Sequence, residues 1–127
     1  MKILVTGSTG FLGSSLTKIL LKSNFKILAL SRKKKKDKNN LKFIKDDIRL
    51  TEKIEIIKTF KPEAIVHLSW EGIPNFDKTN LSVNLHDQKI FFKKILKLKF
   101  IKTIIVTGTC LEYKNTTGKC SEYNSLT

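Results

Sequence analysis

Three glycines near the N-terminus have the spacing of a phosphate-binding turn. They follow an apolar run that begins at Ile3, and an amphipathic helical pattern follows them. In such a unit Gly7 permits a tight turn, Gly10 lets the backbone approach phosphates, and Gly13 lets the helix pack on the strand. Free N–H groups and the positive end of the helix dipole then face the phosphates. The pattern predicts a dinucleotide site, and the alternative is a glycine turn without a ligand. The residues of the predicted site are Gly7, Ser8, Thr9, Gly10, Phe11, Leu12 and Gly13.

The end of the second predicted strand carries Ser31 and Arg32 where an acidic residue would select NAD. A carboxylate there holds the ribose 2′-hydroxyl, whereas an arginine pairs with a 2′-phosphate through its planar fork. The next acidic residue is Asp37, and the lysines at 33–36 raise the local positive potential. The sequence therefore favours NADP over NAD.

An alternation of strands and helices must position these residues. Continuously apolar strands between helices predict a parallel sheet covered on both faces. Right-handed crossovers and a break in strand order between the first and fourth strands give a doubly wound, Rossmann-type α/β fold, truncated after about the fifth strand. The predicted strands are Ile3–Thr6, Phe25–Ser31, Leu41–Lys45, Ala64–Leu68 and Lys102–Thr107, and the helices are Phe11–Lys22, Thr51–Phe60 and Asn80–Lys99.

The helices have predicted caps and apolar faces. Thr51 is the expected N-cap of the second helix. The expected apolar face of the first helix consists of Leu12, Leu16, Ile19 and Leu20. That of the third consists of Leu81, Leu85, Ile90, Phe91, Ile95 and Leu98.

Composition limits the class of protein. The 127 residues, 40% hydrophobic and 28% charged, are typical of one globular domain spanning 1–127. The net charge of +14 comes mostly from scattered lysines, without the arginine or interleaved aromatic patterns of nucleic-acid sites. No apolar stretch approaches the roughly 18 residues of a membrane span, and no signal peptide is visible. We expect a cytoplasmic chain with free thiols at Cys110 and Cys120, without nucleic acid, membrane or metal.

Four groups of residues, in order, resemble an extended short-chain dehydrogenase/reductase. More narrowly, they are similar to the NAD(P)-dependent epimerase/dehydratase group that acts on nucleotide sugars. The groups are Thr6-Gly7-x-x-Gly10-x-x-Gly13, Asp47-Ile48, Val66-His67-Leu68-Ser69-Trp70 and the run from Thr107 to Tyr113. The resemblance covers essentially the whole chain, and it implies hydride transfer at a carbon of a nucleotide-sugar substrate.

The resemblance also implies individual roles. Asp47 would bind the adenine amino group, Ile48 would flank the ring, and Asn84 would face the cofactor. Thr109 would be the catalytic hydroxyl that bonds the reacting substrate oxygen. Further cofactor-binding positions would be Leu68, Ser69, Trp70 and Thr107.

Each of these roles has a structural alternative. Asp47 could cap a turn, Trp70 could pack in the core, and Thr109 could be an ordinary strand-end hydroxyl. His67 ends an apolar strand, and we expect it to be a hydrogen-bonded structural histidine rather than a catalyst.

The chain departs from the family in its catalytic pair. The family chemistry needs Tyr-x-x-x-Lys, but Tyr113 is followed four positions later by Thr117, and Tyr123 by Thr127. We therefore expect an inactive N-terminal cofactor-binding part, lacking the catalytic pair and substrate portion. Apolar surface near the fifth strand and in the segment after Tyr113 should be exposed. We expect it to produce a homo-oligomer or, alternatively, a disordered tail from about Lys114 onward. A stand-alone, non-catalytic dinucleotide-binding module and a basic interaction protein that reuses the fold are the alternatives.

Overall fold

A computed structural model describes residues 1–33, 35–50, 53–74, 77–108, 121 and 123. Strands and helices follow one another in this part of the chain in the predicted order, with the second and third strands joined without a helix. The strands are β1 (Lys2–Thr6), β2 (Lys26–Ser31), β3 (Leu41–Lys45), β4 (Ala64–His67) and β5 (Thr103–Val106). The helices are α1 (Phe11–Lys22), α2 (Ile54–Phe60) and α3 (Lys78–Ile95).

The strands form one parallel sheet in the order β3-β2-β1-β4-β5. The chain runs outward from β1 to β3 and then crosses back to place β4 on the other side of β1. Thr6 at the end of β1 pairs in register with His67 at the end of β4. The predicted doubly wound α/β fold is confirmed, and its strand order reverses between β1 and β4, where such sheets bind ligands.

Apolar residues pack on both faces of the sheet. On one face, α2 and α3 cover a core whose buried members are Leu4, Leu28, Leu30, Ile44, Leu50, Ile57, Ile65, Phe91 and Ile95. On the other face, α1 covers a smaller core formed by Ile3, Val5, Ile27, Ala29, Leu41 and Ala64. Alternation along the strands sends successive side chains to these two cores.

Several predicted boundaries were wrong by a few residues. Helix α2 begins at Ile54, directly after its N-cap residue Lys53. The predicted cap Thr51 lies outside the described residues. Helix α3 begins earlier, at Lys78, because the side chain of Asp77 accepts a hydrogen bond from the Asn80 N–H at 2.7 Å. It ends at Ile95 rather than Lys99. The strands β1, β2, β4 and β5 differ from prediction by one residue at one or both ends.

The predicted apolar faces of the helices need correction too. In α1, Leu12 and Ile19 are 58% and 61% exposed, while Gly13 and Thr17 are buried. Helix α1 approaches the sheet closely at these two residues, because Gly13 has no side chain and the Thr17 hydroxyl donates a hydrogen bond to the Gly13 carbonyl at 2.7 Å. In α3, the second half supplies the buried apolar residues Phe91 and Ile95. Its first half buries Asn84 instead, so that the predicted Leu81 and Leu85 are exposed.

None of the helices in the described ranges has the length and apolar character needed to cross a bilayer.

Candidate functional site

A cleft of about 400 Å³ opens at the carboxyl ends of β1, β2 and β4. This is the edge of the sheet at which the strand order reverses. Predicted cofactor residues that line it are Gly7, Thr9, Gly10, Ser31, Arg32, Asp47, Ile48, Leu68, Ser69, Trp70 and Asn84. Residues missed from the sequence also line it: Leu30, Asp46, Arg49, Glu71 and Asp87.

The three glycines of the turn occupy different surroundings. Gly7 has φ +64°, and a Cβ there would lie 2.9 Å from the Leu68 carbonyl carbon. A Cβ on Gly13 would lie 2.1 Å from the Gly7 carbonyl oxygen. Gly10 is exposed to the cleft, and a Cβ there would meet only the Gly7 oxygen at 3.2 Å. The fold itself therefore needs glycine at positions 7 and 13, whereas a Cβ at position 10 would make one tight contact and otherwise face the cleft.

The N-terminus of α1 faces this turn without a side-chain cap. Gly10 is the N-cap residue, and the first turn contains no acidic residue. Helix α3 differs, because Asp77 caps its first turn. The first N–H groups of a helix have no partner within the helix and carry the positive end of its dipole. The first turn of α1 therefore presents N–H donors suited to an anion.

A hydrogen-bond network joins the ends of β1 and β4. The Thr6 hydroxyl accepts from the N–H groups of Leu68 and Ser69 at 3.2 and 3.3 Å. Because both of its lone pairs are then occupied, its proton points to His67 Nδ1, 2.9 Å away. The His67 ring is therefore neutral, with its proton on Nε2.

Helix α3 completes this network through Gln88. His67 Nε2 donates to Gln88 Oε1, and Gln88 Nε2 donates to the Ser69 carbonyl at 2.8 Å. Burial lowers the pKa of His67 below its ordinary value, and the hydrogen bond to Gln88 opposes that effect. His67 is 2% exposed and stacks on Phe91 with ring centroids 4.5 Å apart. The expected structural histidine is confirmed, and the network fixes the backbone of Leu68 and Ser69 along the cleft.

A tight turn after β3 positions Asp47. Its carboxylate accepts from the Arg49 backbone N–H at 2.8 Å and from Arg49 Nε at 3.0 Å. These bonds from Arg49 hold the pKa of Asp47 below its ordinary value, although burial opposes the shift. Leu50 is fully buried at φ +50°, and its carbonyl accepts from Lys94 Nζ at 2.9 Å. Asp47 thus forms the turn, as its structural alternative predicts, and also lines the cleft.

Arg32 and Glu71 form an ion pair between two walls of the cleft. Arg32 Nη1 donates to Glu71 Oε1, and the two side chains are 69% and 58% exposed. The Glu71 backbone is held by buried Asn84, whose Oδ1 accepts from the Glu71 N–H at 2.8 Å. Asn84 Nδ2 donates to the Glu71 carbonyl at 3.0 Å. Asn84 therefore holds the backbone of Glu71 and also lines the cleft.

Some predicted residues lie away from the cleft lining. Ser8 is buried, and its hydroxyl donates to the Leu30 carbonyl at 3.1 Å, which ties the glycine turn to β2. The N–H of Thr107 donates to the His67 carbonyl at 3.2 Å, beside β4. The remaining residues of this group are on α1: Phe11, Leu12 and Gly13. Thr109 lies outside the described residues.

Trp70 is 42% exposed and lines the cleft, so its core-packing alternative is wrong.

Of the cleft residues that the sequence analysis missed, Arg49 could have been found from the sequence. It follows Asp47 by two positions and is one of two arginines in the chain. Glu71 and Asp87 could not have been found in this way, because their place at the cleft depends on how α3 packs beside β4.

The chain matches the model of the NAD dependent epimerase/dehydratase family over residues 3–124. A probable dTDP-glucose 4,6-dehydratase from Sinorhizobium fredii is 31% identical over 101 residues, covering 65% of this chain and 29% of that protein. The chain spans less than a third of this curated relative.

Solved structures have the same fold at lower identity. The UDP-Glc/GlcNAc 4-epimerase of Campylobacter jejuni superposes with a TM-score of 0.81 at 23% identity, covering 99% of this chain and 43% of that one. Bordetella bronchiseptica WbmH, solved in complex with NAD+, gives 0.80 at 20% identity, covering 99% and 45%. With its family match spanning nearly the whole sequence, the chain belongs to the NAD dependent epimerase/dehydratase family.

Proposed function

We propose that this chain binds NAD(P) in the cleft between the ends of β1 and β4. It would be the cofactor-binding domain, residues 1–127, of a nucleotide-sugar epimerase, dehydratase or 4-ketoreductase. The observation that carries the proposal is the contrast within the turn. Gly7 and Gly13 are required by close backbone contacts, whereas Gly10 is exposed to the cleft at the uncapped N-terminus of α1, where a Cβ would have a single contact, with the Gly7 oxygen.

Relatives support the cofactor and the substrate class. WbmH was solved with NAD+, and the Campylobacter jejuni protein is named for UDP-sugars. The curated relative is named for a dTDP-sugar. When bound, a nicotinamide cofactor supplies a site that accepts or donates a hydride, here at a sugar carbon.

The described residues fit the parts of such a cofactor. The N–H groups of the first turn of α1 would bind the diphosphate, since Gly10 lets them be approached closely. Asp47 would accept from the adenine amino group, and Ile48 would flank the ring. Leu68, Ser69 and Trp70 would lie along the ribose side of the cleft, on a backbone that the Thr6–His67–Gln88 network holds. Asn84 is a positioning residue for Glu71.

The cofactor is proposed to be NADP in preference to NAD. Arg32 provides a guanidinium at the end of β2, where a 2′-phosphate would lie, and β2 ends without a carboxylate. Glu71 opposes this preference, because its carboxylate already occupies the guanidinium. A charge-assisted hydrogen bond is worth roughly 1.5–3 kcal/mol. Because a 2′-phosphate would have to replace Glu71 at Arg32, the net gain from binding the phosphate is smaller than this.

Chemistry at the sugar would need more than these 127 residues. Thr109 is proposed to bond the reacting oxygen, but the sequence contains no Tyr-x-x-x-Lys pair to move its proton. Loss of a positioned acid/base group costs on the order of a hundred- to ten-thousand-fold in rate. We therefore propose that the chain by itself binds the cofactor without turning over a substrate. We also propose that it forms a homo-oligomer. Its cytoplasmic location stays a prediction.

Calorimetric titration of the purified chain with NADPH and NADH tests the proposal. Gly10→Val should abolish binding of both, because a branched side chain would fill the approach to the α1 N-terminus. Ser15→Val, an exposed position on the same helix, is the control and should bind like the wild type. Circular dichroism must show both variants folded. Equal affinity of Gly10→Val and wild type would overturn the proposed site, and steady-state turnover of a nucleotide sugar would overturn the proposed inactivity.

A further inference from the structure

A second cavity, of about 610 Å³, lies at the opposite edge of the sheet. It is beside the amino ends of β1, β2 and β3, between the sheet and α2. Its lining includes Lys2, Lys26, Lys42, Asn40, Ile56 and Phe60. The volume falls within the range of about 300–1,000 Å³ that is typical of small-molecule sites.

Three lysines border this cavity from adjacent strands. Lys2 and Lys26 are register partners, and Lys42 pairs with Leu28, two residues beyond Lys26. Each lies two residues before a buried member of the α2-side core, so all three project from the same face of the sheet. Neighbouring strands are only about 4.8 Å apart, so the three side chains leave the sheet close together. Like charges on facing positions destabilise a sheet unless something compensates them.

The nearby carboxylates do not compensate these charges. Glu55, which also lines the cavity, pairs with Lys58 at 2.6 Å on its own helix. Glu63 accepts from the backbone N–H of Lys2 at 3.2 Å. In the described part of the chain, none of the three lysine ammonium groups forms an ion pair with a carboxylate. The cavity is therefore an electropositive site.

Ile56 and Phe60 form an apolar part of the cavity wall. Ile56 on α2 is 43% exposed towards this space, although its neighbour Ile57 is fully buried. Lys2 Nζ lies 5.6 Å from the centroid of the Phe60 ring, a distance suited to a cation–π contact. The ring therefore stands beside the lysine row. A ligand that touches both would need a negative group next to a flat apolar body.

We propose that this cavity binds a small organic anion with an aromatic body, whose carboxylate or phosphate lies on the lysine row and whose ring packs on Phe60 and Ile56. The lysines provide charge complementarity, and the apolar wall distinguishes the site from a surface that attracts any anion. The site is at the other edge of the sheet from the dinucleotide cleft, so it does not depend on the function proposed there.

Calorimetric titrations with 2-naphthoate, 2-naphthyl phosphate and neutral 2-naphthol test this site. At least one anion should bind, and 2-naphthol should bind about tenfold more weakly or not at all, since it lacks the charge. The ratio of the two anion affinities identifies carboxylate or phosphate as the preferred group. Equal binding of naphthol and both anions, or no binding of either anion, would overturn the proposal.

Paired lysine variants locate the site. Lys26→Gln/Lys42→Gln should weaken anion binding about tenfold or more, because it removes two of the three charges. Lys18→Gln/Lys22→Gln on α1 changes the net charge equally, and it should have less than about a twofold effect, since α1 packs on the other face. Gly10→Val should leave anion binding unchanged, which separates this site from the cleft. Equal loss in both lysine pairs would show an effect of overall charge and overturn the site.

Discussion

Strands β4 and β5 lie side by side in the sheet, but their surroundings differ. At the end of β4, His67 is 2% exposed and both ring nitrogens are hydrogen-bonded. On β5, Ile105 and Val106 are 54% and 51% exposed. Among the described residues, no buried side-chain polar atom lacks a hydrogen-bond partner. The buried polar groups around β4 are thus satisfied within the described residues, whereas these residues do not cover the apolar edge at β5.

The position of the helices explains this difference. Ile104 points to the α2 and α3 side and packs against that core. Ile105 therefore points to the α1 side, where its register partner Val66 is only partly buried. Helix α1 packs on the core of β1 and β2 and leaves β5 open. The exposure expected near the fifth strand is confirmed for Ile105 and Val106, and most of the segment after Tyr113 lies outside the described residues. Exposed apolar patches of this kind favour association with another surface.

The largest expected effect comes from the turn that joins the cleft to the core. Gly13→Val should lower the free energy of unfolding by about 3 kcal/mol or more, since even its Cβ would overlap the Gly7 carbonyl. Urea unfolding followed by circular dichroism measures this. Gly10→Ala is the control, with a smaller loss of about 1 kcal/mol, because its Cβ would meet only the Gly7 oxygen at 3.2 Å and alanine is a poorer N-cap residue than glycine. A Gly13→Val variant as stable as the wild type would contradict the close packing of Gly13 on the Gly7 carbonyl.

The sequence predicts the inner strands well because their signals are local. The glycine spacing and the apolar runs indicate β1 and α1, and the general rules for parallel α/β sheets then predict the strand order around them. Eleven predicted cofactor residues line one cleft, although their roles remain to be tested. The His67 prediction succeeded because a histidine that ends a buried strand needs partners.

Features that depend on packing between distant segments were not predictable. Helical periodicity alone placed Leu12 and Ile19 in the core, but α1 approaches the sheet through Gly13 and Thr17. The Arg32–Glu71 pair joins residues 39 positions apart. Glu71 reaches Arg32 because Asn84 on α3 holds its backbone, a contact that no local pattern encodes.

The Thr6 hydroxyl tests whether the polar network holds the cleft together. Thr6→Val keeps the shape but removes a group that accepts from two N–H groups and donates to His67. We expect a loss of about 1–3 kcal/mol in the free energy of unfolding, since buried groups lose their partner. Thr107→Val, at the more exposed hydroxyl beside β5, is the matched control. Similar small losses in both variants would contradict the contrast between the two strands.

His67 predicts a pH dependence of stability. Its pKa in the folded chain is lowered by burial from the ordinary 6.5, so the unfolded chain takes up a proton first as pH falls. The stabilisation of the folded chain by neutral His67 is fully present above pH 6.5. It is lost progressively as the pH falls below 6.5, until the pH passes the lowered pKa of His67 in the folded chain. Urea unfolding across this range should show the decline, and His67→Gln should remove its contribution. An unchanged slope in the variant would exclude His67 as the cause.

The exposed edge predicts self-association. Ile105→Lys should raise the dissociation constant of a homo-oligomer by about tenfold or more, because a charge would enter an apolar contact. Its effect on unfolding should be below about 0.5 kcal/mol, as expected for an exposed position. Analytical ultracentrifugation measures the association. A wild-type chain that stays monomeric at high concentration would show that β5 does not mediate contact between copies.

The smallest expected effect concerns cofactor choice at the ion pair across the cleft. Glu71→Gln should raise the preference for NADPH over NADH by up to about tenfold, because Arg32 loses a competing carboxylate while its own charge remains. Arg32→Ala should remove the preference and leave NADH affinity nearly unchanged. Titration of each variant with both cofactors gives the ratios, which should shrink as salt screens these exposed charges. If Arg32→Ala weakens both cofactors equally, or Glu71→Gln leaves the ratio unchanged, this pair does not select the cofactor.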